Sequence, residues 1–481
     1  MVAYAGQRPR DLPWLIQGGM GVAVSHWPLA RAVARAGQLG VVSGTAIDSV
    51  FIRRLQDHGV DDTLRRVLQH FPLQSVVSDV LAKYASAPRG AKSPYKTTLV
   101  PTHRRVEASQ DLLVLAAYAE VAQAKEGHEG TVGINLLTKV QIPTAPTLFG
   151  AMLAGVDYVL MGAGIPSHIP GVLDRLTRGE AVETSLEIEG AGASAAPTLR
   201  FDPRRLMPRG QLRRPKFLAI VSSHVLATAL LRRSSGTVEG FVVEGPVAGG
   251  HNAPPRGPLT LDVEGSPVYG DRDRPDYAVL RELGVPFWIA GGVTSPARVH
   301  EALELGATGV QVGTLFAYCR ESGMDPTLRD AVIATVRAGT AKVVTSARAS
   351  STGYPFKVVR VKGTLSEPAD YEGRTRVCDL GLLRQAYVTP DGGVGYRCSA
   401  EPTKDYERKS GAIEDTVGRV CLCNALMAAA GLGQVRKGIV EPPIVTSGDS
   451  VNEIAPLLVG RDGYDAHDVI EYLKPDQRTT S

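Results

Sequence analysis

The sequence has few cysteines, no long apolar run and little net charge. Five cysteines in 481 residues exclude a disulfide-rich secreted scaffold. About 18 consecutive apolar residues occur nowhere, and the start MVAYAGQRPR lacks the charged and apolar segments of a signal peptide. The net charge is only +4, and the lysines and arginines are scattered, which gives little support for a nucleic-acid partner. We therefore expect a cytoplasmic protein that binds neither membranes nor nucleic acid.

Short apolar runs that end in glycine or serine are the main repeating feature of the chain. Each run is typical of a buried strand that leads into a loop, and helix-like periodicity follows. In the first unit, we expect Ser25 to cap a helix that runs to about Ala36 and is closed by Gly37. The eight predicted strands are Trp14–Gln17, Gly40–Ser43, Thr131–Leu137, Asp157–Met161, Phe217–Val221, Phe241–Val243, Pro286–Ala290 and Gly309–Val312.

Eight such units in succession predict an α/β fold, the closed (β/α)8 TIM barrel, in which the carboxyl ends of all strands meet at one face. A doubly wound open sheet is the alternative arrangement of these units. The hydrophobic content of 43% is sufficient for a large core. We assign residues 1–320 to the barrel, with helical insertions near 61–128 and 182–214. Residues 321–481 form a cysteine-containing C-terminal extension that we expect to pack on the barrel.

The stretch Val238–Gly257, VEGFVVEGPVAGGHNAPPRG, carries the main candidate for chemistry. Its strand leads through Glu244 into a glycine-rich loop, whose backbone can approach a ligand closely because glycine has no Cβ. The loop then places His251 at the face where barrel enzymes hold their active sites. An imidazole at this position is either a reactive group or an ordinary hydrogen-bonding loop residue.

Two further turns have the form of a phosphate site. Barrel enzymes commonly bind phosphate in the loops after strands seven and eight. After the seventh predicted strand, Gly291–Gly292 precedes an N-cap and first-turn proline at Ser295–Pro296. After the eighth strand, Gly313–Thr314 precedes the next helix. Free N–H groups at helix starts attract a phosphate without help from a lysine.

Five motifs in order along the chain resemble the nitronate monooxygenase family, formerly called 2-nitropropane dioxygenases: IQGGMG, VGINLL, EGPVAGGHNAPPRG, WIAGGV and GVQVGTLFA. That family is related to the flavin-dependent enoyl-acyl-carrier-protein reductases. The resemblance covers about residues 10–320 and implies a TIM barrel that holds non-covalent FMN. It implies the following contacts: Gly19 and Met20 beside the flavin ring, Asn135 at its polar edge, Glu244, Gly249 and Gly250 along the ribityl chain, and Gly291, Gly292, Gln311, Gly313 and Thr314 at the phosphate. His251 matches the catalytic histidine of the family.

The resemblance implies an FMN-dependent oxidoreductase that oxidises a small alkyl nitronate with O2 to a carbonyl compound and nitrite. His251 would act as a base toward a neutral nitroalkane or as a cationic partner of the nitronate. The alternative is an NAD(P)H-dependent enoyl-thioester or quinone reductase with the same FMN site, because fold does not fix function. A third hypothesis is a non-catalytic protein that retains the barrel. The chain could also assemble as a homodimer.

The C-terminal continuation and the NAPPRG sequence that follows His251 depart from the simplest or best-known members of the family. The chain continues for about 160 residues beyond the eighth unit, and within that part Arg348–Lys357 is either a lid over the barrel mouth or a linker on its side. Arg256, which follows His251, is either a ligand for a substrate carboxylate or phosphate or a surface residue. Elsewhere in the chain, Tyr84–Arg105, which contains several lysines and arginines, is either a mobile flap, a contact for an acyl chain or a solvated surface loop.

Four of the five cysteines lie in the C-terminal extension, at Cys378, Cys398, Cys421 and Cys423. In a cytoplasmic protein such a cluster predicts a metal site rather than disulfides. Four thiolates suit either a tetrahedral zinc ion or an iron–sulfur cluster. Buried thiols that pack as small apolar residues are the alternative.

Overall fold

Eight parallel strands form the centre of the structure, a computed structural model that describes residues 12–85, 89–90, 92–104, 106–190, 197–208 and 210–475. Residues 1–11, where the sequence was searched for a signal peptide, lie outside the described residues. The strands are β1 Leu15–Gln17, β2 Gly40–Ser43, β3 Val132–Leu137, β4 Tyr158–Gly162, β5 Lys216–Val221, β6 Gly240–Glu244, β7 Phe287–Ala290 and β8 Gly309–Val312. Each lies within a residue or two of its predicted bounds.

The strand order shows that these eight strands form a barrel. Along the sheet the order is β1, β8, β7, β6, β5, β4, β3, β2, with parallel pairing throughout. A parallel bridge between Ile16 and Leu39 joins β1 to the residue before β2 and so closes the ring. The predicted TIM barrel is confirmed, and the doubly wound open sheet is excluded.

The interior of the barrel is filled by apolar side chains from several strands. Ile16, Val41, Leu160 and Leu218 are each at most 1% exposed and belong to one cluster with Trp288. The indole N–H of Trp288 donates to the carbonyl oxygen of Pro13 at 2.8 Å, so its one polar group is satisfied. The barrel is therefore a packed core, and a ligand can enter only at the strand ends.

Helices surround the barrel between the strands. Their bounds are Trp27–Arg35 after β1; Ile47–His58, Asp62–Gln69, Gln74–Tyr84 and Glu107–Lys125 after β2; Thr144–Leu153 after β3; Ile169–Thr177 after β4; His224–Arg233 after β5; Tyr277–Glu282 after β6; Pro296–Glu304 after β7; and Thr314–Ala317 after β8. None of the helices within the described residues is both long and apolar enough to cross a membrane.

The two insertions differ in secondary structure. In the first, Asp62–Gln69 and Gln74–Tyr84 pack on the long helix Glu107–Lys125, which itself lies in the outer helix layer of the barrel. The second insertion holds strands where helix was expected: Val182–Ser185 pairs antiparallel with Thr198–Phe201. Its residues 191–196 and 209 lie outside the described part of the chain.

The predicted cap of the first helix is wrong. His26 is the N-cap of Trp27–Arg35, and its side chain makes no capping hydrogen bond. The hydroxyl of Ser25 instead accepts from the N–H of Met20 at 2.8 Å and contacts the carbonyl oxygen of Gly18 at 2.9 Å. The glycine turn after β1 folds back onto Ser25 and takes up its hydroxyl, so the side chain is not available to the helix.

The C-terminal extension contains helices and short strands. Helices lie at Pro326–Arg337, Pro368–Gly373, Thr403–Arg408, Leu422–Ala429 and Ala466–Leu473, 3-10 turns at Ile413–Thr416 and Asp449–Leu458, and strands at Val343–Ser346, Phe356–Val359, Gln385–Val388, Val394–Arg397, Val435–Arg436 and Ile439–Val440. The strand Gln385–Val388 also pairs in parallel with Ile188–Glu189 of the second insertion. Parts of the extension return to the barrel mouth, where they take part in the site.

Candidate active site

One cavity of about 430 Å³ lies at the carboxyl ends of the barrel strands. Its volume is within the range of about 300–1,000 Å³ that cofactor and substrate pockets occupy. All twelve residues that the sequence predicted for cofactor binding and catalysis line it: Gly19, Met20, Asn135, Glu244, Gly249, Gly250, His251, Gly291, Gly292, Gln311, Gly313 and Thr314. Residues up to 295 positions apart in sequence are thus brought to one place by the barrel.

The turn after β1 packs directly on β3. A Cβ atom on Gly19 would lie 2.8 Å from Cγ of Asn135, a distance at which atoms overlap, so only glycine fits. Asn135 is 7% exposed and has its side chain at the cavity wall. Met20 lies next to Gly313: its sulfur is 3.7 Å from the point where a Cβ atom on Gly313 would lie. Gly19, predicted for the flavin ring, therefore lies beside the amide predicted for its polar edge, and Met20 lies beside Gly313 of the predicted phosphate site.

His251 is held at the cavity wall by the C-terminal extension. Its Nε2 lies 2.7 Å from the hydroxyl of Ser350, and its ring contacts that of Phe356 edge to face at 4.9 Å between centroids. Burial and the positive charge of Lys139 lower the pKa of His251 from 6.5 to about 4. The imidazole is therefore neutral at pH 7.

Glu244 is the one carboxyl among the predicted cofactor residues. It ends β6 and lines the cavity. Burial raises the pKa of Glu244 to about 7, because the low-dielectric surroundings disfavour the carboxylate. A group that titrates near neutrality inside a cavity can donate or accept a hydrogen bond toward a ligand.

The turn after β7 has the backbone shape that its glycines predicted, whereas Gly313 after β8 has a φ angle of −106°, which any residue can adopt. Gly291 and Gly292 have φ angles of +92° and +71°, values that favour glycine. Ser295 then caps the helix Pro296–Glu304, its hydroxyl accepting from the N–H of Arg298 at 3.4 Å. This cap confirms the predicted helix start, and Gly291–Thr294, which lead into the helix, line the cavity.

Two amide side chains at the cavity each have a buried oxygen atom that lacks a partner among the described residues. These atoms are Oε1 of Gln311 and Oδ1 of Asn252, and both residues line the cavity. A buried acceptor without a partner costs about 1–3 kcal/mol, so a ligand with hydroxyl or N–H donors would stabilise both. The cavity volume, the glycine turns and these two acceptors fit a flavin nucleotide.

The C-terminal extension forms the part of the cavity that the sequence did not predict. The N–H of Gly250 donates to Oγ1 of Thr446 at 2.9 Å, and the N–H of Gly448 donates to Oγ1 of Thr314 at 3.1 Å. Thr446 and Gly448 thus join the His251 loop and the turn after β8. An apolar wall comes from the same extension: Leu382, Leu383, Leu422, Leu426 and Ile444. The run of small and polar residues VTSGDS was the only local signal for this part of the site.

The segment Arg348–Lys357 lies at the barrel mouth, as the lid alternative expected. The N–H of Asn252 donates to the carbonyl oxygen of Pro355 at 2.9 Å, and the N–H of Lys357 donates to that of Gly250 at 3.0 Å. His251 forms an antiparallel bridge with Phe356 in the same segment. The alternative of a linker on the side of the barrel is excluded.

Arg256 and the segment Tyr84–Arg105 have mainly structural contacts. Arg256 is exposed at the cavity mouth, and its guanidinium donates to the carbonyl oxygens of Arg272 at 2.8 Å and Ser222 at 3.2 Å. Tyr95 is 4% exposed, which anchors the middle of Tyr84–Arg105 on the protein. Residues 86–88, 91 and 105 of that segment lie outside the described residues.

The four cysteines of the extension line a second cavity of about 10 Å³. Cys423 lines both cavities. A hydrogen bond with Cys423 lowers the pKa of Cys421 to about 7, and burial raises the pKa of Cys378 to about 12. In the part of the chain that the structure describes, which includes these cysteines, no three His, Cys, Asp or Glu side chains are arranged to hold a metal ion. A zinc ion or iron–sulfur cluster at these cysteines stays a prediction.

Comparison with known proteins agrees with the motifs. Residues 198–363 match the family described as nitronate monooxygenase. A nitronate monooxygenase of Pseudomonas aeruginosa is 34% identical over 160 residues, which are 31% of this chain and 42% of that protein. One of Paraburkholderia phytofirmans is 30% identical over 165 residues, 33% of this chain and 42% of that protein. The matches span less than half the length of these relatives, and over that part the resemblance is confirmed.

Two solved structures match most of the chain at low sequence identity. FabK from Thermotoga maritima matches with a TM-score of 0.47 and 17% identity, over 96% of this chain and 92% of that one. Nitroalkane oxidase from Streptomyces ansochromogenes matches with a TM-score of 0.46 and 15% identity, over 96% of this chain and 94% of that one.

Proposed function

We propose that this protein is an FMN-dependent oxidoreductase of the nitronate monooxygenase type, which oxidises alkyl nitronates with O2 to a carbonyl compound and nitrite. One observation carries the proposal: all twelve residues predicted from the family motifs line a single cavity at the barrel mouth. The sequence matches to two nitronate monooxygenases support the same reaction class.

Each part of the cavity has a role in this proposal. The turns at Gly291–Gly292 and Gly313–Thr314 would hold the phosphate, and Asn135 would contact the polar edge of the ring. When bound, FMN supplies the electron-transfer chemistry, and the protein binds, orients and excludes water. The apolar wall formed by the leucines of the extension suits the alkyl part of a nitronate.

His251 would act on the substrate as a neutral imidazole. Its lowered pKa leaves the ring uncharged at pH 7, which favours a base or hydrogen-bonding role over that of a cationic partner. A neutral imidazole can accept the proton that a nitroalkane loses on forming its nitronate. The Ser350 contact keeps the ring in place while this happens.

The test is anaerobic reduction of the flavin in the purified protein. We expect bound FMN, and we expect propionate 3-nitronate to bleach it without NAD(P)H. The variant His251→Ala should keep its FMN and lose about 100-fold or more of the bleaching rate with a neutral nitroalkane, because general base catalysis contributes about 10²–10⁴-fold. The exposed residue His70 provides the matched control, His70→Ala.

Three outcomes would contradict the proposal. Protein that binds no FMN would refute the cofactor. Prompt bleaching by NAD(P)H, with no response to a nitronate, would identify the enoyl-thioester or quinone reductase instead. Equal bleaching rates in His251→Ala and His70→Ala would remove His251 from the reaction.

A further inference from the structure

We propose that Ser350, which belongs to the C-terminal extension, is a positioning residue that holds Nε2 of His251 and so presents Nδ1 to the cavity. The inference rests on the proposed function, because it names the nitrogen that meets the substrate. It also gives the extension a part in the reaction that the barrel motifs do not contain.

The geometry fixes the ring on two sides. The hydroxyl of Ser350 lies 2.7 Å from Nε2 of His251, and Ser350 is 0% exposed, so no water replaces this contact. Phe356 packs edge to face on the ring at an interplanar angle of 66°. Among the described residues, His251 makes no other side-chain hydrogen bond. Nδ1 is therefore the one polar ring atom left for a ligand in the cavity that His251 lines.

Ser350 is itself held rigidly. The guanidinium of Arg419 donates to the carbonyl oxygen of Ser350 at 2.5 Å and to that of Arg348 at 2.8 Å. Lys139 lies over the ring of Tyr354 at 3.0 Å from its centroid, and its ammonium group also approaches the carbonyl oxygen of Thr352 at 3.4 Å. These contacts limit the motion of the segment on both sides of Ser350, so the backbone that carries its hydroxyl is held in place.

A second hydroxyl lets Ser350 serve either neutral form of the imidazole. Oγ of Ser350 lies 2.8 Å from Oγ1 of Thr352 and accepts from the N–H of Thr352 at 3.2 Å. When Ser350 donates to Nε2, Thr352 can donate to Ser350, and Nδ1 of His251 carries the proton. When Nε2 donates to Ser350, the Ser350 proton turns to Thr352, and Nδ1 is an acceptor. The serine is satisfied in both arrangements, so Nδ1 can give or take a hydrogen bond.

The first experiment compares Ser350→Ala with Ser346→Ala. Ser346 accepts from the N–H groups of Arg348 and Ala349 in the same segment, at 3.3 and 3.0 Å, and does not contact His251. Nitrogen-15 spectra of histidine-labelled protein should show a changed Nε2 signal of His251 in Ser350→Ala and not in Ser346→Ala. We expect kcat with a nitronate to fall about 10- to 100-fold in Ser350→Ala alone, with KM nearly unchanged, because misplacement of a catalytic group costs about that much.

The second experiment replaces His251 itself. The side-chain amide nitrogen of His251→Asn lies near the position of Nδ1, and that of His251→Gln lies near the position of Nε2. A preformed nitronate needs no proton removed, so an amide N–H can replace an imidazole N–H as the donor. We expect His251→Asn to retain at least tenfold more activity toward propionate 3-nitronate than His251→Gln.

The outcomes separate this inference from the proposed function. Higher activity in His251→Gln than in His251→Asn, or equal spectra and rates in the two serine variants, would overturn it. Wild-type protein that binds no FMN or does not oxidise nitronates would refute the proposed function. The nitrogen-15 spectra would still show which ring nitrogen of His251 contacts Ser350.

Discussion

Replacing His251 with glutamine should make the protein less sensitive to acid. The glutamine amide can keep the contact with Ser350, so the change removes mainly the titrating group. In the folded protein the pKa of His251 lies near 4, whereas in the unfolded chain it returns to about 6.5. As the pH falls through 6.5, protons bind the unfolded chain first and stabilise it. The stability that depends on neutral His251 is therefore complete above pH 6.5 and is lost progressively down to about pH 4.

The size of the effect follows from the two pKa values. A tenfold change in proton affinity is worth about 1.4 kcal/mol, so this histidine can contribute at most about 3 kcal/mol to the acid sensitivity. His26, whose pKa burial lowers to about 3, contributes in the same direction. It is present in both proteins, so the difference between wild type and variant isolates His251.

Urea unfolding at pH 7.5, 6.5, 5.5 and 4.5 measures this difference. Between pH 7.5 and 4.5, the free energy of unfolding should fall by up to about 3 kcal/mol more in the wild type than in His251→Gln. Ser346→Ala removes hydrogen bonds from the neighbouring segment but no titrating group, so its curve should run parallel to the wild type. Parallel curves for wild type and His251→Gln would refute the argument that burial and Lys139 depress this pKa.

Further variants test the cofactor and metal predictions. In Gly19→Ala the new methyl group would overlap the side chain of Asn135, so FMN affinity, measured by flavin fluorescence, should fall at least tenfold; Gly373→Ala, where a Cβ meets nothing within 4 Å, should leave it unchanged. If the four cysteines bind metal as the sequence predicts, purified protein will contain stoichiometric zinc or iron that the double variant Cys421→Ser/Cys423→Ser loses. Metal-free wild-type protein would identify the thiols as packing groups.

The barrel could be predicted from the sequence because its signals are local. Each strand is a short apolar run, and the next glycine or serine marks its end, as at Gly291–Gly292 after β7. The glycine turns also made most of the cavity predictable, since the barrel brings every strand end to one face. Family motifs then supplied particular positions such as Asn135, whose place at the cavity wall the structure shows.

The parts that the sequence did not predict depend on contacts between distant residues. Ser350 and His251 are 99 positions apart, and nothing near either residue indicates the other. The wrong assignment of Ser25 has a different cause: two local partners compete for its hydroxyl, which is taken by the turn after β1 and not by the helix that follows it. The four cysteines of the extension suggested a cluster of thiols, but their spacing in the sequence could not show how the thiols are arranged in space.

The hydrogen bond between Gly250 and Thr446 has a consequence for the order of biosynthesis. It joins residues 196 positions apart. At about 5–20 residues per second, the ribosome takes roughly 10–40 s to proceed from one to the other. The eighth strand ends at Val312, 134 positions before Thr446, so the mouth of the complete set of barrel strands stays uncovered for roughly 7–27 s of that interval. A large ligand can enter then, and the segment around Thr446, which is translated later, encloses it.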